Sequence, residues 1–270
     1  MSTKIKRVGV LTSGGDSPGM NAAIRAVVRA CAYYNVECVG IYRGYQGMIE
    51  GDFKEMGPRD VKNIINKGGT ILKSARSADF RTAEGRKKAY DNLVAAGIDS
   101  FVVIGGDGSF TGAEIFNEEY GFPVIGIPGT IDNDIFGTSH TLGYDTALNT
   151  VIDAIDKIRD TANSHNRLFF VEVMGRDAGH IALNAGIGAG AEEILIPEED
   201  FGLDRLVESL KRSKGSGKTS SIVVVSEGDK IGKNVFELKD YIEENMPEYD
   251  VRVSVLGHMQ RGGSPSCFDR

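Results

Sequence analysis

Short apolar runs alternate with longer amphipathic stretches along the chain, and almost every run ends at a glycine-rich turn. Runs of this length bounded by glycine are typical of buried strands. They cover residues 7–11, 37–42, 101–104, 123–127, 168–173, 193–196, 221–225 and 251–256. The main amphipathic stretches, with apolar positions at helical spacing, cover residues 20–34, 82–96 and 143–162. This alternation predicts an α/β protein with mainly parallel sheets.

The stretch 101–134 is the clearest β-α-β unit of the sequence. Parallel strands of such a unit bring their C-terminal ends to one edge of the sheet, where open α/β sheets bind ligands. The turn after the first strand carries Asp107, and the turn after the second carries Asp132 and Asp134. Asp132 and Asp134 are not expected to share one site as a catalytic pair.

Turn and capping residues give three local expectations. Thr82 should cap a helix that runs to Ala96 and stops at Gly97. Segment 43–52, which contains three glycines, is expected to be a loop, and segment 60–66 a short helix.

Composition narrows the class of protein. Glycine is unusually frequent, at 35 of 270 residues, and no repeat accounts for it, so the glycines must serve turns and close backbone approach. The net charge of −7 argues against a nucleic-acid binder. Three cysteines without a CxxC pair fit a reducing compartment, and there is no signal peptide or membrane-length apolar run. A soluble cytoplasmic enzyme is therefore expected, with neither a nucleic acid nor a membrane as partner.

Two glycine-rich turns are candidate phosphate cradles. Gly14–Gly15 and the segment 105–108 let backbone N–H groups approach phosphate oxygens, and the helix that follows adds a favourable dipole. Asp107 carries the wrong charge to bind phosphate itself, so it is predicted to hold Mg²⁺, which takes one or two carboxylates together with phosphate oxygens and water. The alternative is an ordinary turn-forming Asp-Gly.

The remaining chemistry of a phosphoryl transfer is also present near strand ends. Asp132 is a candidate base for an acceptor hydroxyl, with Asp134 shaping the loop. His258 has no second histidine at metal spacing and is expected to contact a sugar or phosphate. Loop arginines could neutralise phosphate charge; these are Arg76, Arg167, Arg176, Arg252 and Arg261.

Six segments, in order along essentially the whole chain, resemble the ATP-dependent 6-phosphofructokinases of bacterial type. They are LTSGGDSPGMNAAIRAVVR, GGTILKSAR, VVIGGDGS, PGTIDNDI, VEVMGRDAGH and LGHMQRGGSP. The resemblance implies transfer of phosphate from MgATP to the 1-hydroxyl of fructose 6-phosphate, giving fructose 1,6-bisphosphate and ADP. It also implies a two-lobed, three-layer α/β/α fold.

The same resemblance implies a division of the chain into lobes. Residues 1–142 with 254–270 are expected to form the ATP-binding lobe, and residues 143–253 the lobe that binds the sugar phosphate. The chain stops at PSCFDR, where the family continues into a further helical segment, so a C-terminal truncation is expected.

Site residues are carried over by position in the motifs. The implied ATP contacts are Gly15, Arg76, Ser77, Gly106, Asp107, Gly108 and Ser109, with Asp107 at Mg²⁺. Asp132 is the implied base, while Thr130 and Arg176 stabilise the transferring phosphoryl group. Ser77 stands where the family often has an aromatic residue beside the adenine, which leaves the packing of the base open.

The resemblance also implies the sites for the acceptor and an effector. The implied acceptor residues are Thr130, Ile131, Asp132, Arg167, Met174, Gly175, Arg176, Glu227, Arg252, His258, Met259, Gln260 and Arg261. Arg167 and Arg252 match residues that the family supplies from a neighbouring subunit, which implies a homotetramer. The implied nucleotide-effector residues are Arg25, Arg29, Arg159, Gly190, Glu192 and Lys218. Without the resemblance, Arg25 and Arg29 are simply two charges on one helix face.

Two glycines favour ATP as the phosphoryl donor. Pyrophosphate-using relatives carry GGDD and PKTIDND, where this chain has Gly108 and Gly129. An aspartate at the first position would occupy room that the α-phosphate of ATP needs. The alternatives are a pyrophosphate-dependent enzyme, a non-catalytic nucleotide-sensing relative, and an NAD or lipid kinase, although the last leaves MGR and GHMQRGG unexplained.

Overall fold

The structure is a computed structural model that describes residues 5–165, 167–199, 202–217, 220–228 and 234–270. The chain forms two compact units. Unit 1 comprises Met1–Thr130, Ile135–Gly143 and Arg261–Arg270, and unit 2 comprises Ile131–Asp134 and Tyr144–Gln260. The sequence-based division ended the second lobe at residue 253 and began it at 143. Unit 2 instead extends to Gln260, which bonds to the Met174 amide, and also includes Ile131–Asp134.

Unit 1 is built on a five-stranded sheet with helices on both faces. Its strands are β1 (Arg7–Thr12), β2 (Glu37–Ile41), β3 (Phe53–Glu55), β4 (Ser100–Gly105) and β5 (Val124–Pro128). Its helices are α1 (Met20–Tyr33), α2 (Gly44–Glu50), α3 (Ala83–Ala95) and α4 (Asp107–Tyr120). The strand order is β3-β2-β1-β4-β5, and all neighbours are parallel except β2 and β3.

The alternation of side chains along the strands of unit 1 separates two cores. Val10 packs with Ile24 of α1 on one face, while its neighbour Leu11 packs with Met48 and Phe116 on the face covered by α2, α3 and α4. Since successive side chains of a strand point to opposite faces, the near-continuous apolar strands fit a sheet that is covered on both sides.

Unit 2 has the same layered plan with a different sheet. Its strands are β6 (Arg167–Val173), β7 (Glu193–Leu195), β8 (Ser221–Ser226) and β9 (Asp250–Val255), all parallel in the order β7-β8-β6-β9. Its helices are α5 (Tyr144–His165), α6 (His180–Gly188), α7 (Gly202–Gly215) and α8 (Val235–Asn245). Helices α5 and α6 cover one face and α7 and α8 the other. The expected three-layer α/β/α class with mainly parallel sheets is confirmed.

Local expectations have mixed outcomes. The Thr82 hydroxyl accepts a hydrogen bond from the Gly85 amide at 3.0 Å, and Gly97 adopts a φ of +68°, so the predicted cap and stop of α3 are confirmed. The predicted loop at 43–52 is wrong, because it contains α2, which buries Tyr45 and Met48. Segment 60–66 forms turns rather than the predicted helix.

In the described ranges, no helix combines the length and the mean hydropathy that a membrane span requires.

Candidate active site

The C-terminal ends of β1 and β4 bring the two glycine-rich turns of unit 1 together. Thr12 and Ile104 are register partners, and the Ser13 amide donates to the Ile104 carbonyl at 2.9 Å. The Ser109 hydroxyl then donates to the Ser13 hydroxyl at 2.8 Å, so the turn after β1 is fastened to the first turn of α4. The two candidate phosphate cradles therefore lie side by side in unit 1.

The glycines of the β4–α4 turn meet two different requirements. A Cβ on Gly105 would lie 2.6 Å from the backbone oxygen of Ser13, so this position needs glycine for close packing. A Cβ on Gly108 would meet no heavy atom of the described residues within 4 Å. Gly105 is therefore required for tight packing within the protein, whereas Gly108 leaves open space beside the turn.

Asp107 is the first residue of α4, and its side chain is exposed. The sequence analysis had placed it in the turn before the helix. At a helix N-terminus the first backbone N–H groups lack partners within the helix, and the helix dipole adds a positive potential. The position therefore combines N–H donors for phosphate oxygens with one carboxylate suited to a cation.

The loop that carries Arg76 is held by side chains that sequence reasoning missed. Asn21, 2% exposed, donates to the carbonyls of Lys67 and Gly68 at 3.1 and 3.0 Å and accepts from the Ile71 amide at 2.8 Å. The sequence signal that could have identified Asn21 is a polar residue at a position of α1 that should be buried. Arg76 itself is exposed, so the loop is fixed while its guanidinium stays in solvent.

The Ser77 hydroxyl is hydrogen-bonded within the protein. Its hydroxyl donates to the Gln46 side chain at 2.8 Å and accepts from the Phe80 amide at 3.2 Å. Nearby, the rings of Tyr45 and Phe80 stack with a centroid separation of 4.0 Å, and the Tyr45 hydroxyl donates to the Ser109 carbonyl at 2.5 Å. An aromatic stack therefore adjoins the loop position at which the family often has an aromatic residue.

Two further residues carried over from the resemblance lie in unit 1. Thr130, 8% exposed, follows β5, and its carbonyl accepts from the Thr141 hydroxyl at 2.6 Å. The Arg261 guanidinium donates to the Asp16 carbonyl at 3.2 Å and covers Gly15, where a Cβ would lie 2.8 Å from Nη1. Arg261, implied as an acceptor residue, thus packs against the backbone of the first glycine-rich turn.

The aspartates of the TIDND loop have different environments. Asp132 is 7% exposed, whereas Asp134 is exposed. Ile131 is fully buried in the core of unit 2. Its side chain therefore anchors the loop, and the acceptor contact implied for Ile131 stays a prediction.

A carboxylate holds the MGR turn of unit 2. The Glu227 side chain accepts from the Arg176 amide at 2.8 Å and from the Gly175 amide at 3.4 Å. Arg176 adopts a left-handed φ of +57°, which costs a non-glycine residue energy and is maintained by such contacts. Its guanidinium remains exposed, 3.7 Å from the Asp177 carboxylate.

Gln260 also supports the MGR turn. It is fully buried, accepts from the Met174 amide at 3.2 Å and donates to the Gly257 carbonyl at 2.9 Å. Because both ends of the amide are bonded within unit 2, Gln260 orders the turn, and the substrate contact implied for it stays a prediction. His258 and Met259, on the same 3₁₀ turn, are exposed.

Arg167 and Arg252 share one partner. Both guanidinium groups bond to the carboxylate of Asp250, at 2.8 and 2.6 Å respectively. Arg167 begins β6, and Asp250 begins β9 directly opposite it in the sheet. Nothing in the sequence analysis singled out Asp250.

Part of the implied effector site assembles in unit 2. Arg159 donates to the carbonyls of Ala189 and Gly190 at 2.9 and 2.8 Å, and lies 3.7 Å from the Glu192 carboxylate. Arg25 and Arg29 lie in unit 1, on α1, while Lys218 falls outside the described residues.

Asp107 is the carboxylate predicted to hold Mg²⁺. The described residues contain no cluster of three or more histidine, cysteine or acidic side chains that could hold a metal ion by themselves. Mg²⁺ usually arrives with phosphate and keeps several waters, needing only one or two protein carboxylates. The exposed Asp107 carboxylate, beside the open space at Gly108, fits that mode of binding.

A family model described as Phosphofructokinase matches residues 7–270, which is nearly the whole chain. The chain belongs to the phosphofructokinase family. Among curated members, ATP-dependent 6-phosphofructokinase 2 of Bacteroides thetaiotaomicron is 57% identical over 266 residues, covering 98% of this chain and 81% of that protein. The ATP-dependent 6-phosphofructokinases of Bacillus pumilus and Thermus thermophilus are 59% and 58% identical over the same length, each covered to 82%.

Solved phosphofructokinases share the fold. The structure of phosphofructokinase from Saccharomyces cerevisiae matches with a TM-score of 0.92 and 39% identity over 98% of this chain, which spans 39% of the yeast chain. A pyrophosphate-dependent phosphofructokinase from Marinobacter aquaeolei matches with a TM-score of 0.86 over 98% of this chain and 72% of its own. At 22% identity, the latter indicates the fold alone.

Proposed function

We propose that this phosphofructokinase transfers the terminal phosphoryl group of ATP to the 1-hydroxyl of fructose 6-phosphate, giving fructose 1,6-bisphosphate and ADP, the phosphofructokinase step of glycolysis. The observation that carries the proposal is the identity of 57–59% with ATP-dependent 6-phosphofructokinases over 98% of the chain. Phosphoryl transfer of this kind depends on positioning and electrostatic stabilisation more than on covalent chemistry by the protein.

Unit 1 binds the donor in this proposal. The backbone of Gly15 and of residues 106–109 receives the phosphates, and Arg76 adds positive charge. Asp107 would hold Mg²⁺, which would supply positive charge to offset the negative charge of the phosphates. The geometry that favours this assignment is the helix N-terminus of α4 together with the open space at Gly108.

Unit 2 binds the acceptor. Asp132 takes the proton of the sugar 1-hydroxyl. Arg176 and Thr130 are both assigned to the transferring phosphoryl group. The sugar phosphate is held by Glu227, His258 and the backbone of the MGR turn. The side chains of Met174 and Gln260 support this turn from its buried side, as their contacts indicate.

The proposal includes assembly, regulation and location. Arg167 and Arg252 are assigned to the acceptor phosphate of a neighbouring subunit, so a homotetramer is the working assembly. Arg159, Glu192 and Gly190, together with Arg25 and Arg29 of a neighbour, would bind a nucleotide effector. Free Cys31 and Cys38, buried side by side in one core, suit a reducing cytoplasm.

ATP is favoured over pyrophosphate by the two glycines at the donor site. The open position of Gly108 leaves space for the α-phosphate, whereas an aspartate side chain would fill it. A Cβ on Gly129 would lie 3.1 Å from the Ile104 side chain, so the backbone there packs tightly and carries no lysine that could supply charge.

Coupled ADP release tests the function. The purified chain should release ADP from MgATP when fructose 6-phosphate is present and should show little release when it is omitted. The product should carry phosphate at the 1-position. Replacing ATP with pyrophosphate should abolish transfer, so transfer from pyrophosphate would instead support the pyrophosphate-dependent alternative. Nucleotide binding without turnover would support the non-catalytic sensing alternative.

A further inference from the structure

One carboxylate joins two arginines at the start of neighbouring strands in unit 2. In the β6–β9 register, Arg167 is paired with Asp250 and Phe169 with Arg252. Asp250 therefore lies opposite one arginine and two residues before the other, with its two oxygens directed to different guanidinium groups. Oδ2 accepts from Arg167 Nε at 2.8 Å, and Oδ1 lies 2.6 Å from Arg252 Nη1.

The contact leaves most of both guanidinium groups available. Arg167 uses its Nε on Asp250, and Arg252 uses Nη1 on Asp250 and on the Val251 carbonyl at 2.9 Å. In the ranges that the structure describes, neither arginine makes an ion pair with any other carboxylate. Because an arginine presents five N–H donors in a fixed fork, each retains an edge that could bind a phosphate.

Fold stability does not explain this arrangement well. The three side chains are between 25% and 46% exposed, and ion pairs at such positions contribute little because water and salt screen them. The Arg167 hydrogen bond, with the nearby positive charges, keeps the pKa of Asp250 below its ordinary value, so the carboxylate remains charged at neutral pH. Two like charges are thereby held close together on one side of a sheet.

We propose that Asp250 is a positioning residue: it holds Arg167 and Arg252 side by side, so that together they bind the dianionic phosphate of a phosphate monoester. The inference rests on the proposed function, in which that monoester is fructose 6-phosphate. The clamp of two arginines and one aspartate retains a net charge of +1, which still favours a phosphate. Asp250 itself does not touch the substrate.

The direction in which phosphate affinity changes when Asp250 is removed distinguishes a positioning role from simple competition for the arginines. If Asp250 merely competed with phosphate for the arginines, its removal would add net positive charge and tighten binding. If it positions them, its removal lets the two guanidinium groups repel each other and lose orientation, and binding weakens. Bidentate recognition of phosphate depends on that orientation.

The test compares Asp250→Asn and Asp250→Ala with wild type in the MgATP and fructose 6-phosphate assay. We expect the KM for fructose 6-phosphate to rise by about tenfold in both variants, as orientation of charged donors is lost, with kcat and the KM for ATP within about twofold. Asp250→Glu, which keeps the charge, should restore most of the affinity. Asp153→Asn, which removes one charge from an exposed ion pair with Lys157 on α5, is the matched control and should change nothing.

Each outcome decides the inference. A fall in KM for fructose 6-phosphate, or no change in a folded Asp250→Asn or Asp250→Ala protein, overturns the positioning role while leaving the proposed function in place. Wild type without activity on fructose 6-phosphate removes the proposed function first, and the inference with it. Inorganic phosphate should inhibit wild type competitively at this clamp and inhibit the Asp250 variants less, which separates the acceptor phosphate from an effector bound elsewhere.

Discussion

The two units build their candidate binding sites from different materials. In unit 1, the turns after β1 and β4 present backbone groups, and glycine decides what can approach them. In unit 2, the residues proposed to bind the acceptor depend on other side chains. Glu227 and Gln260 hold the MGR turn, and Asp250 bonds to two arginines.

This difference predicts how each unit fails. A site made mainly from backbone is damaged most by added volume, since glycine leaves the space through which a ligand approaches. A site made from side chains is damaged by loss of a charge or of its partner, because the remaining group becomes unpaired or misoriented. Substitutions chosen by these rules test whether the two units respond in these different ways.

The largest effect is expected for the base of unit 2. Asp132→Asn should lower kcat by about 10³-fold, within the range that general-base catalysis supplies, while the KM for fructose 6-phosphate stays near that of wild type. Asp134→Asn is the matched control, since the same charge is removed from the exposed aspartate of the loop. Steady-state kinetics with both substrates measures kcat and KM separately. An unchanged kcat for Asp132→Asn would exclude Asp132 as the base.

The next effect concerns the open space in unit 1. Gly108→Asp should lower kcat/KM for ATP by about 100-fold, because its side chain fills the space and places negative charge beside the phosphates. Thermal stability should not change, since a Cβ there meets no described neighbour within 4 Å. Gly108→Asn, of similar volume but uncharged, separates steric exclusion from repulsion. Full activity with ATP in both variants would contradict the donor assignment.

A third effect tests the closed position of the same turn. Gly105→Ala places a Cβ 2.6 Å from the Ser13 carbonyl oxygen, a backbone atom that cannot move aside alone. Unfolding free energy should fall by about 1–3 kcal/mol, the usual cost of overpacking. Gly108→Ala is the control and should raise the unfolding free energy slightly, by up to about 1 kcal/mol, because alanine favours the helix at this unobstructed position. Equal stability in the two variants would mean that the two glycines do not differ as proposed.

The sequence predicted what depends on local chemistry. Apolar runs ending at glycine located the strand ends, and the Thr82–Gly97 pair set the bounds of α3, because these signals act within a few residues. The predicted β-α-β unit also brought the turn at Asp107 to the correct edge of its sheet. Motif resemblance supplied the family, which the structure alone does not name.

The parts that could not be predicted depend on distant partners. Helix α2 forms between Gly44 and Gly51, both at positive φ, because burial of Tyr45 and Met48 outweighs the low helix propensity of its glycines. Asn21 looked like an ordinary helix residue until its three contacts with the 67–71 loop were visible. The support that Gln260 gives to the MGR turn likewise became visible only from its contacts with Met174 and Gly257.

The smallest effect lies in unit 2, at Glu172 on β6. Burial, and secondarily the negative charge of Glu227, raise the pKa of Glu172 above its ordinary value. The folded state therefore resists ionisation, and wild-type stability declines as pH rises from the ordinary glutamate pKa of about 4.5 through the raised one. Glu172→Gln removes this loss, so its melting temperature relative to wild type should increase with pH across that window and then level off.

The shift in melting temperature should reach no more than about 2 °C, since the half-exposed carboxylate is screened by water. Glu118→Gln, on the exposed side of α4, is the matched control and should show a difference that does not vary with pH. Thermal melts of the three proteins between acidic and mildly alkaline pH make the comparison. If the Glu172→Gln difference were constant with pH, the pKa of Glu172 would be the same in the folded and unfolded protein, and its burial on β6 would not destabilise the charged form.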